Sequence, residues 1–392
     1  MTHKTFITLL GATGSVGQSV LAVLDANPEC YRLFAVSAYS RVEQLLLICE
    51  KYNPIFAVVN NENQKSWLQA QCIERQLATE VLVGPEALCI VARDSAVQVV
   101  VAAIVGVAGL PSTMAAAKAG KRILLANKEA LVVAGDLLIK TVKENGAELL
   151  PVDSEHSAIF QVMPPDFRVG NPSVAVKKII LTASGGPFRT WTLEQMQHVT
   201  PNQACQHPTW SMGPKISVAC ATLMNKGLEL IEACWLFGLS PNQVDVLIHP
   251  QSIVHSMVEM MDGSVLAQMG PSSMQIPIAH CLGYPNRISS GVKPLDWCSV
   301  HSLTFEAVDE IRFPALQQAR AAFLAKKGMP CVLNAANEVA IEAFLEQRIS
   351  FLKMTPLIEQ LLARNWPAAE SSLESLLSLD QEVRQVAEEY IV

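Results

Sequence analysis

Three acids and a short list of donors carry the chemistry legible in this sequence. Asp153 and Glu155 stand two positions apart in "LLPVDSEHSAIFQ", where an apolar run ends at Val152 and Ser154 separates the two acids. Side chains at i and i+2 beside a strand end point the same way. Two carboxylates at the mouth of a core strand are costly unless a positive group lies between them. A third acid, Glu229, lies in the helical pattern "SVACATLMNKGLELIEACWLF", with Asn225 one turn earlier on the same face and Lys226 beside it. Three carboxylates without a histidine or thiol at ligand spacing suit a hard divalent ion, Mg²⁺ or Mn²⁺, with coordination positions left open. The other reading of the same residues has Asp153 capping a helix and Glu229 pairing with Lys226.

Two further segments supply donors for an anion. "TASGGPF" places Ser184 ahead of two glycines, the make-up of a phosphate-binding turn. "CQHPTWSMGPK" carries His207, Trp210 and Gly213 on a loop bounded by proline and glycine, where a tryptophan can act as a lid. Taken alone, His207 is more often a structural histidine than a ligand contact.

These groups need a scaffold, and the first 150 residues describe one. Short runs rich in Val, Ile and Leu at 5–10, 33–38, 55–60, 81–84, 97–104, 122–127 and 147–152 alternate with helical patterns. Strands apolar on both faces belong to a parallel, doubly wound sheet, so the class is α/β with an N-terminal Rossmann-like domain. Gly11, Gly14 and Gly17 follow the first strand and open the first helix. In that setting small residues let backbone approach a pyrophosphate, and free N–H groups at the helix start face the anion. Thr13 and Ser15 add hydroxyls. The second strand ends in "FAVSAYSRV", which lacks the acid that NAD sites place there and offers Ser40 and Arg41 for a 2′-phosphate. This favours NADP, unless Arg41 is simply a solvated surface residue.

Beyond 150 the rhythm changes. A strand at 177–183, a helix over 217–237 and a hairpin turning at Asp262–Gly263 predict a central α+β catalytic domain over 151–285. Residues 286–312 read as a linker, and 313–392 as a C-terminal helical bundle, with Ser371 or Ser372 as a cap. Half the chain is hydrophobic, 17% is charged and the net charge is -7, which argues for a large core and against nucleic-acid binding. The apolar run 97–110 is too short for a membrane span. No secretory signal is legible, and the ten cysteines are scattered without a C-x-x-C pair. Cytoplasmic location with reduced thiols is the expectation.

Taken in order, "LGATGSVGQS", "AAIVGVAGL", "LLANKEALV", "LLPVDSEHSAIFQ", "SGGPF", "HPTWSMGPKIS", "MNKGLE", "LIHPQSIVHSM", "DGSVLAQMG", "PNRISSGVKPLD" and "LNAANEVA" resemble the 1-deoxy-D-xylulose 5-phosphate reductoisomerase family. The resemblance implies NADPH- and metal-dependent isomerisation, by retro-aldol and aldol steps, and reduction of that sugar phosphate to 2-C-methyl-D-erythritol 4-phosphate. It implies a homodimer. It makes Asp153, Glu155 and Glu229 the metal ligands and places Ser154, Ser184, His207, Asn225 and Lys226 on substrate. Thr13, Gly14, Ser15 and Val16 match the pyrophosphate loop, Asn127, Lys128 and Glu129 the nicotinamide side, and Gly213 a backbone contact to cofactor. Trp210 and Met212 match a flap over 205–214. Lys128, Glu155, His207 and Trp210 are the catalytic candidates. Three departures stand out: Ala219 and Cys220 replace the usual Asp and phosphate-binding Ser, Thr209 and Gln206 replace Asn and Arg, and "AYSR" replaces Gly-Lys-Asn. The competing readings are another NADP-dependent dehydrogenase, acting on a semialdehyde or hydroxy acid, and a non-catalytic NADPH sensor.

Overall fold

A computed structural model describes residues 4–210, 212–369 and 372–391. The chain divides into two compact units, one of 1–130, 138–157 and 273–293, the other of 131–137, 158–272 and 294–392.

In the first unit seven strands form one sheet: β1 Thr5–Leu10, β2 Tyr31–Ser37, β3 Phe56–Val59, β4 Glu80–Val83, β5 Val99–Ala102, β6 Arg122–Leu125 and β7 Glu148–Pro151. Their order is β4-β3-β2-β1-β5-β6-β7, every neighbour parallel. Each lies at an expected apolar run, with ends within two residues of those expected. The run Val99–Ala102 is buried throughout, as a strand covered on both faces must be. The strand order reverses between β1 and β5, and in doubly wound sheets ligands bind outside the carboxyl ends at such a switch.

The expected boundary at 285 does not describe this unit. The helix Gln275–Gly283 belongs here, with Pro277, Ile278, Ala279, Cys281 and Leu282 buried. The Tyr31 hydroxyl donates to Leu282 O at 3.1 Å, Asn27 Nδ2 to Ser289 O at 2.8 Å, and the Cys281 thiol to Pro151 O at 3.2 Å. An apolar helix with two such ties, and a third from the segment after it, is cladding for the sheet rather than the end of another domain.

The second unit holds a mixed sheet of β8 Val176–Ala183, β9 Val244–Ile248, β10 Val254–Met260, β11 Val265–Met269 and β12 Glu306–Ala307, in the order β11-β10-β8-β9-β12. The hairpin forms where expected, Gly263 taking φ +86° at its turn. Strands β9 and β12 are additions to the expected strand and hairpin. The C-terminal helices Ala315–Ala325, Met329–Leu345, Phe351–Leu362 and Leu373–Glu389 fall in this same unit, so no separate domain begins at 313. Ser372 caps the last helix by accepting from Ser375 N; Ser371 lies outside the described residues. The 286–312 connection is pinned through Arg189–Glu306 at 2.6 Å and Arg312, which donates to Arg189 O at 3.1 Å.

The helix expected over 217–237 is two helices, Pro214–Ala221 and Met224–Phe237, broken at Leu223 with φ +59°. The break puts Asn225 and Lys226 in the first turn of the second helix. Its apolar periodicity continues through the break, which is why the sequence pattern conceals it.

Candidate active site

The glycine loop is built as the motif requires. The Gly11 N–H donates to Ser37 Oγ at 2.9 Å and Ala12 N to Ser37 O at 2.9 Å, which stitches the loop to the end of β2. A Cβ on Gly17 would sit 2.4 Å from Gly11 O, so only glycine lets the helix Ser15–Asp25 start against the turn. Gly14 precedes that helix without a side-chain cap, and Gly14 and Ser15 are exposed, leaving N–H groups open to an anion. Thr13 is buried and Val16 half-buried. Arg41, although exposed, folds back to this loop, Nη1 donating to Thr13 O at 3.1 Å. Ser40 is exposed beside it.

Asn127 is placed for support. Its Oδ1 caps the helix Lys128–Glu144 by accepting from Ala130 N, and its amide donates to Ile104 O and Gly106 O. The amide nitrogen fixes the loop after β5, and the amide oxygen the start of the helix. Lys128 follows, and its Nζ lies 2.8 Å from Asp153 Oδ2. Glu129 is half-buried in the same first turn.

The i, i+2 strand geometry expected for Asp153 and Glu155 is corrected by the structure. β7 ends at Pro151, and a helix begins at Ser154. Asp153 precedes that helix, its carbonyl accepting from Ser157 N at 2.8 Å, while Glu155 lies in the first turn and accepts from Ser154 Oγ at 2.6 Å. Burial alone would raise the Asp153 carboxyl, but Lys128, His156 and the hydrogen bond with Glu155 hold it well below the usual carboxylate range.

In the second unit, Ser184 and His207 make a defined donor. His207 Nδ1 accepts the N–H groups of Thr209 at 3.3 Å and Trp210 at 2.9 Å, so the ring proton is on Nε2. Nε2–H therefore donates to Ser184 Oγ at 2.9 Å, and Gly186 N donates to the same oxygen at 3.2 Å. With its acceptor capacity taken, the Ser184 hydroxyl keeps its proton to give. Burial pushes His207 down to about 4, which keeps the ring neutral near pH 7. The same contacts tie Trp210, on the expected flap, to the serine turn; Met212 is half-buried, and Gly213 is exposed ahead of the helix Pro214–Ala221.

Gly186 takes φ +69°, and a Cβ there would meet Cys220 O at 2.8 Å, so the serine turn lies against the Cys220 backbone. Glu229, 1% exposed, accepts from Asn225 Nδ2 at 2.6 Å through Oε1 and from Lys226 Nζ through Oε2. The sequence missed His255. It is buried, its ring is 6.3 Å from that of Trp210, and desolvation, with Lys226 and His249 contributing, lowers its pKa. The "HSM" at a strand start carried no spacing signal that could have found it.

All the acids offer oxygen only, and Asp153 and Glu229 each carry a lysine ammonium. The Glu229–Lys226 pair is the one the alternative reading expects, and the carboxylate oxygens are the donor type that fits a hard divalent metal. A switch-point sheet with a glycine loop, an arginine beside it, and an acid and anion site define an NADP-dependent oxidoreductase of the α/β class. Family models for 1-deoxy-D-xylulose 5-phosphate reductoisomerase match residues 7–135, for its C-terminal domain 149–237, and for a DXP reductoisomerase C-terminal domain 269–386. The reductoisomerases of Pseudomonas fluorescens and Pseudomonas putida are each 52% identical over 391 residues, covering 100% of this chain and 99% of each relative. A crystal structure of DOX-P reductoisomerase with NADPH, fosmidomycin and magnesium has a TM-score of 0.95 at 46% identity, covering 99% of this chain and 98% of that one. The Zymomonas mobilis enzyme with NADPH has a TM-score of 0.92 at 42% identity, covering 99% of both chains. The chain belongs to the 1-deoxy-D-xylulose 5-phosphate reductoisomerase family.

Proposed function

We propose that the reaction is divided among the residues as follows. Thr13, Gly14, Ser15 and Val16, with Ser40, Arg41 and the 127–129 segment, serve NADPH. Asp153, Glu155 and Glu229 hold one Mg²⁺ or Mn²⁺, and Ser154, Ser184, His207, Cys220, Asn225 and Lys226 receive the sugar phosphate. The reaction itself is the NADPH- and divalent-metal-dependent conversion of 1-deoxy-D-xylulose 5-phosphate to 2-C-methyl-D-erythritol 4-phosphate. Membership of this family sets aside both the semialdehyde or hydroxy-acid dehydrogenase and the sensor reading.

When bound, the cation supplies Lewis-acid stabilisation of charge on substrate oxygens, and the nicotinamide supplies hydride. The side chains do the rest. Ser184 gives its hydroxyl proton to a phosphate oxygen, with His207 fixing the hydroxyl by an Nε2–H bond that a protonated partner is not needed to make. Lys226 and the first turn of the helix Met224–Phe237 add positive charge and N–H groups toward the same anion. Lys128 holds a proton 2.8 Å from Asp153 and is placed to relay it. Trp210, anchored through its own N–H to His207, closes over bound substrate and excludes water. Retro-aldol cleavage and aldol re-formation before reduction suit this set best.

Among the described residues no helix is long and apolar enough to cross a membrane. All ten cysteines are free thiols, in keeping with a reducing cytoplasm. The edge strand β11, with Val265 and Leu266 exposed, supports a homodimer paired through that edge.

The observation that supports the metal reading is the set of carboxylates Asp153, Glu155 and Glu229, of which Asp153 and Glu229 each face a lysine. Its test is NADPH oxidation measured with and without 1-deoxy-D-xylulose 5-phosphate and Mg²⁺. Turnover that requires both supports the assignment, and full turnover in a metal-free preparation overturns it.

A further inference from the structure

The loop after β2 carries an aromatic ring that the motif reading leaves unused. Tyr39 is 76% exposed, although it follows a strand whose end is fixed to the glycine loop through Gly11 N–Ser37 Oγ and Ala12 N–Ser37 O. The backbone around it is held from three more directions. Ala38 N donates to Val58 O at 3.1 Å, Gln64 Nε2 donates to Tyr39 O at 3.0 Å, and Val42 N donates to Ser40 O at 3.1 Å. Two residues on, Arg41 reaches Thr13 O. The loop therefore presents an aromatic ring on anchored backbone, a hydroxyl and a guanidinium in succession beside the pyrophosphate turn.

We infer that Tyr39 is the adenine platform of this chain, its ring stacking on the base while Ser40 and Arg41 take the 2′-phosphate. In doubly wound sheets the adenosine half of a dinucleotide lies over the carboxyl end of the second strand, which is where this loop stands. A tyrosine held on fixed backbone gives up little conformational freedom when it stacks, and base–aromatic stacking is tolerant of the details of ring placement. A solvated tyrosine at a random surface position would need none of the three anchors. This inference rests on the NADP assignment and adds the base to it.

The experiment is calorimetric titration of the full chain, without cofactor, with 2′,5′-ADP and with 5′-AMP. Tyr39→Ala should weaken both ligands by about tenfold, leaving their ratio unchanged, and Tyr39→Phe should bind both like the parent. Arg41→Ala should instead collapse the preference for 2′,5′-ADP while leaving 5′-AMP nearly untouched. Affinities within twofold of the parent in Tyr39→Ala would overturn the inference. So would a loss confined to 2′,5′-ADP, which would show that Tyr39 acts only by holding Arg41 in place. If the parent chain binds 2′,5′-ADP no tighter than 5′-AMP, it is the NADP assignment that fails, and the 5′-AMP arm still judges the stacking.

Discussion

Asp153 stands just outside the first turn of its helix and meets Lys128, which opens a different helix, at 2.8 Å, with side-chain exposures of 18% and 17%. Glu229 is held by residues of its own helix, Asn225 and Lys226, and its side chain is 2% exposed. The two carboxylates present the same charge, but their counter-charges differ in freedom. Lys226 and Asn225 are fixed to Glu229 by helical spacing, so no movement between elements can part them. Lys128 comes from another element, and a small shift of that element releases Asp153 to a different cation. Glu229 thus stands as a rigid post, and Asp153, which we propose as an exchangeable ligand, takes its counter-charge from another element.

The largest effect that can sharpen this comparison is metal removal. Chelation should abolish turnover, and Mg²⁺ or Mn²⁺ should restore it, as read by NADPH oxidation. Next come the two lysines. Lys226→Met leaves Glu229 buried without its cation and should cost about 3–5 kcal/mol of stability. Lys128→Met, at a partly solvated pair, should cost about 1 kcal/mol. Urea unfolding of both variants measures the difference, and equal losses would break the distinction between post and exchangeable ligand.

These residues also show where sequence reading reached its limit. The seven strands of the first sheet were legible because strands buried on both faces are written as unbroken Val, Ile and Leu. The glycine loop was legible because its spacing and its place between strand and helix are both local. Glu155 was misplaced because a period of two looks the same in a strand and across a helix start; only the backbone bond from Ser157 N to Asp153 O reveals the helix. The break at Leu223 was hidden because leucine gives no sign of a left-handed conformation. The helix Gln275–Gly283 was assigned to the wrong unit because its partners, Tyr31 and Pro151, are distant in sequence. The Ser184–His207 bond was invisible for the same reason: both residues were singled out, but their 23-residue separation carries no periodicity.

The burial of His207 sets a pH dependence on the second unit. His207 has its pKa lowered by burial to about 4, against 6.5 when unfolded. Below pH 6.5 the unfolded chain therefore binds a proton that the folded chain refuses, and stability falls as pH drops toward 4. Above 6.5 the contribution is constant. His255 and His280 are lowered in the same direction and add to the slope. The expectation is that His207→Gln flattens, without removing, the fall in urea midpoint between pH 7 and pH 5. An unchanged slope would mean that protonated His207 is accommodated, and that the neutral Nε2–H tautomer is not what orders Ser184.

The smallest expected effect lies at Cys220, whose carbonyl contacts the serine turn at Gly186. A thiol is a weaker donor than a hydroxyl, so if the phosphate lies where we propose, Cys220 gives it a weak donor and Ser184 a strong one. Cys220→Ser should tighten substrate binding by up to about fivefold, roughly 1 kcal/mol, with kcat unchanged because phosphate is remote from the reacting carbons. KM and calorimetric affinity for 1-deoxy-D-xylulose 5-phosphate read the outcome together. If Ser184 already saturates the phosphate oxygens, the gain is nil and the anion site is complete without position 220. Weaker binding in the serine variant would instead show that the larger sulfur shapes the pocket, so that packing rather than donor strength governs this side of the site.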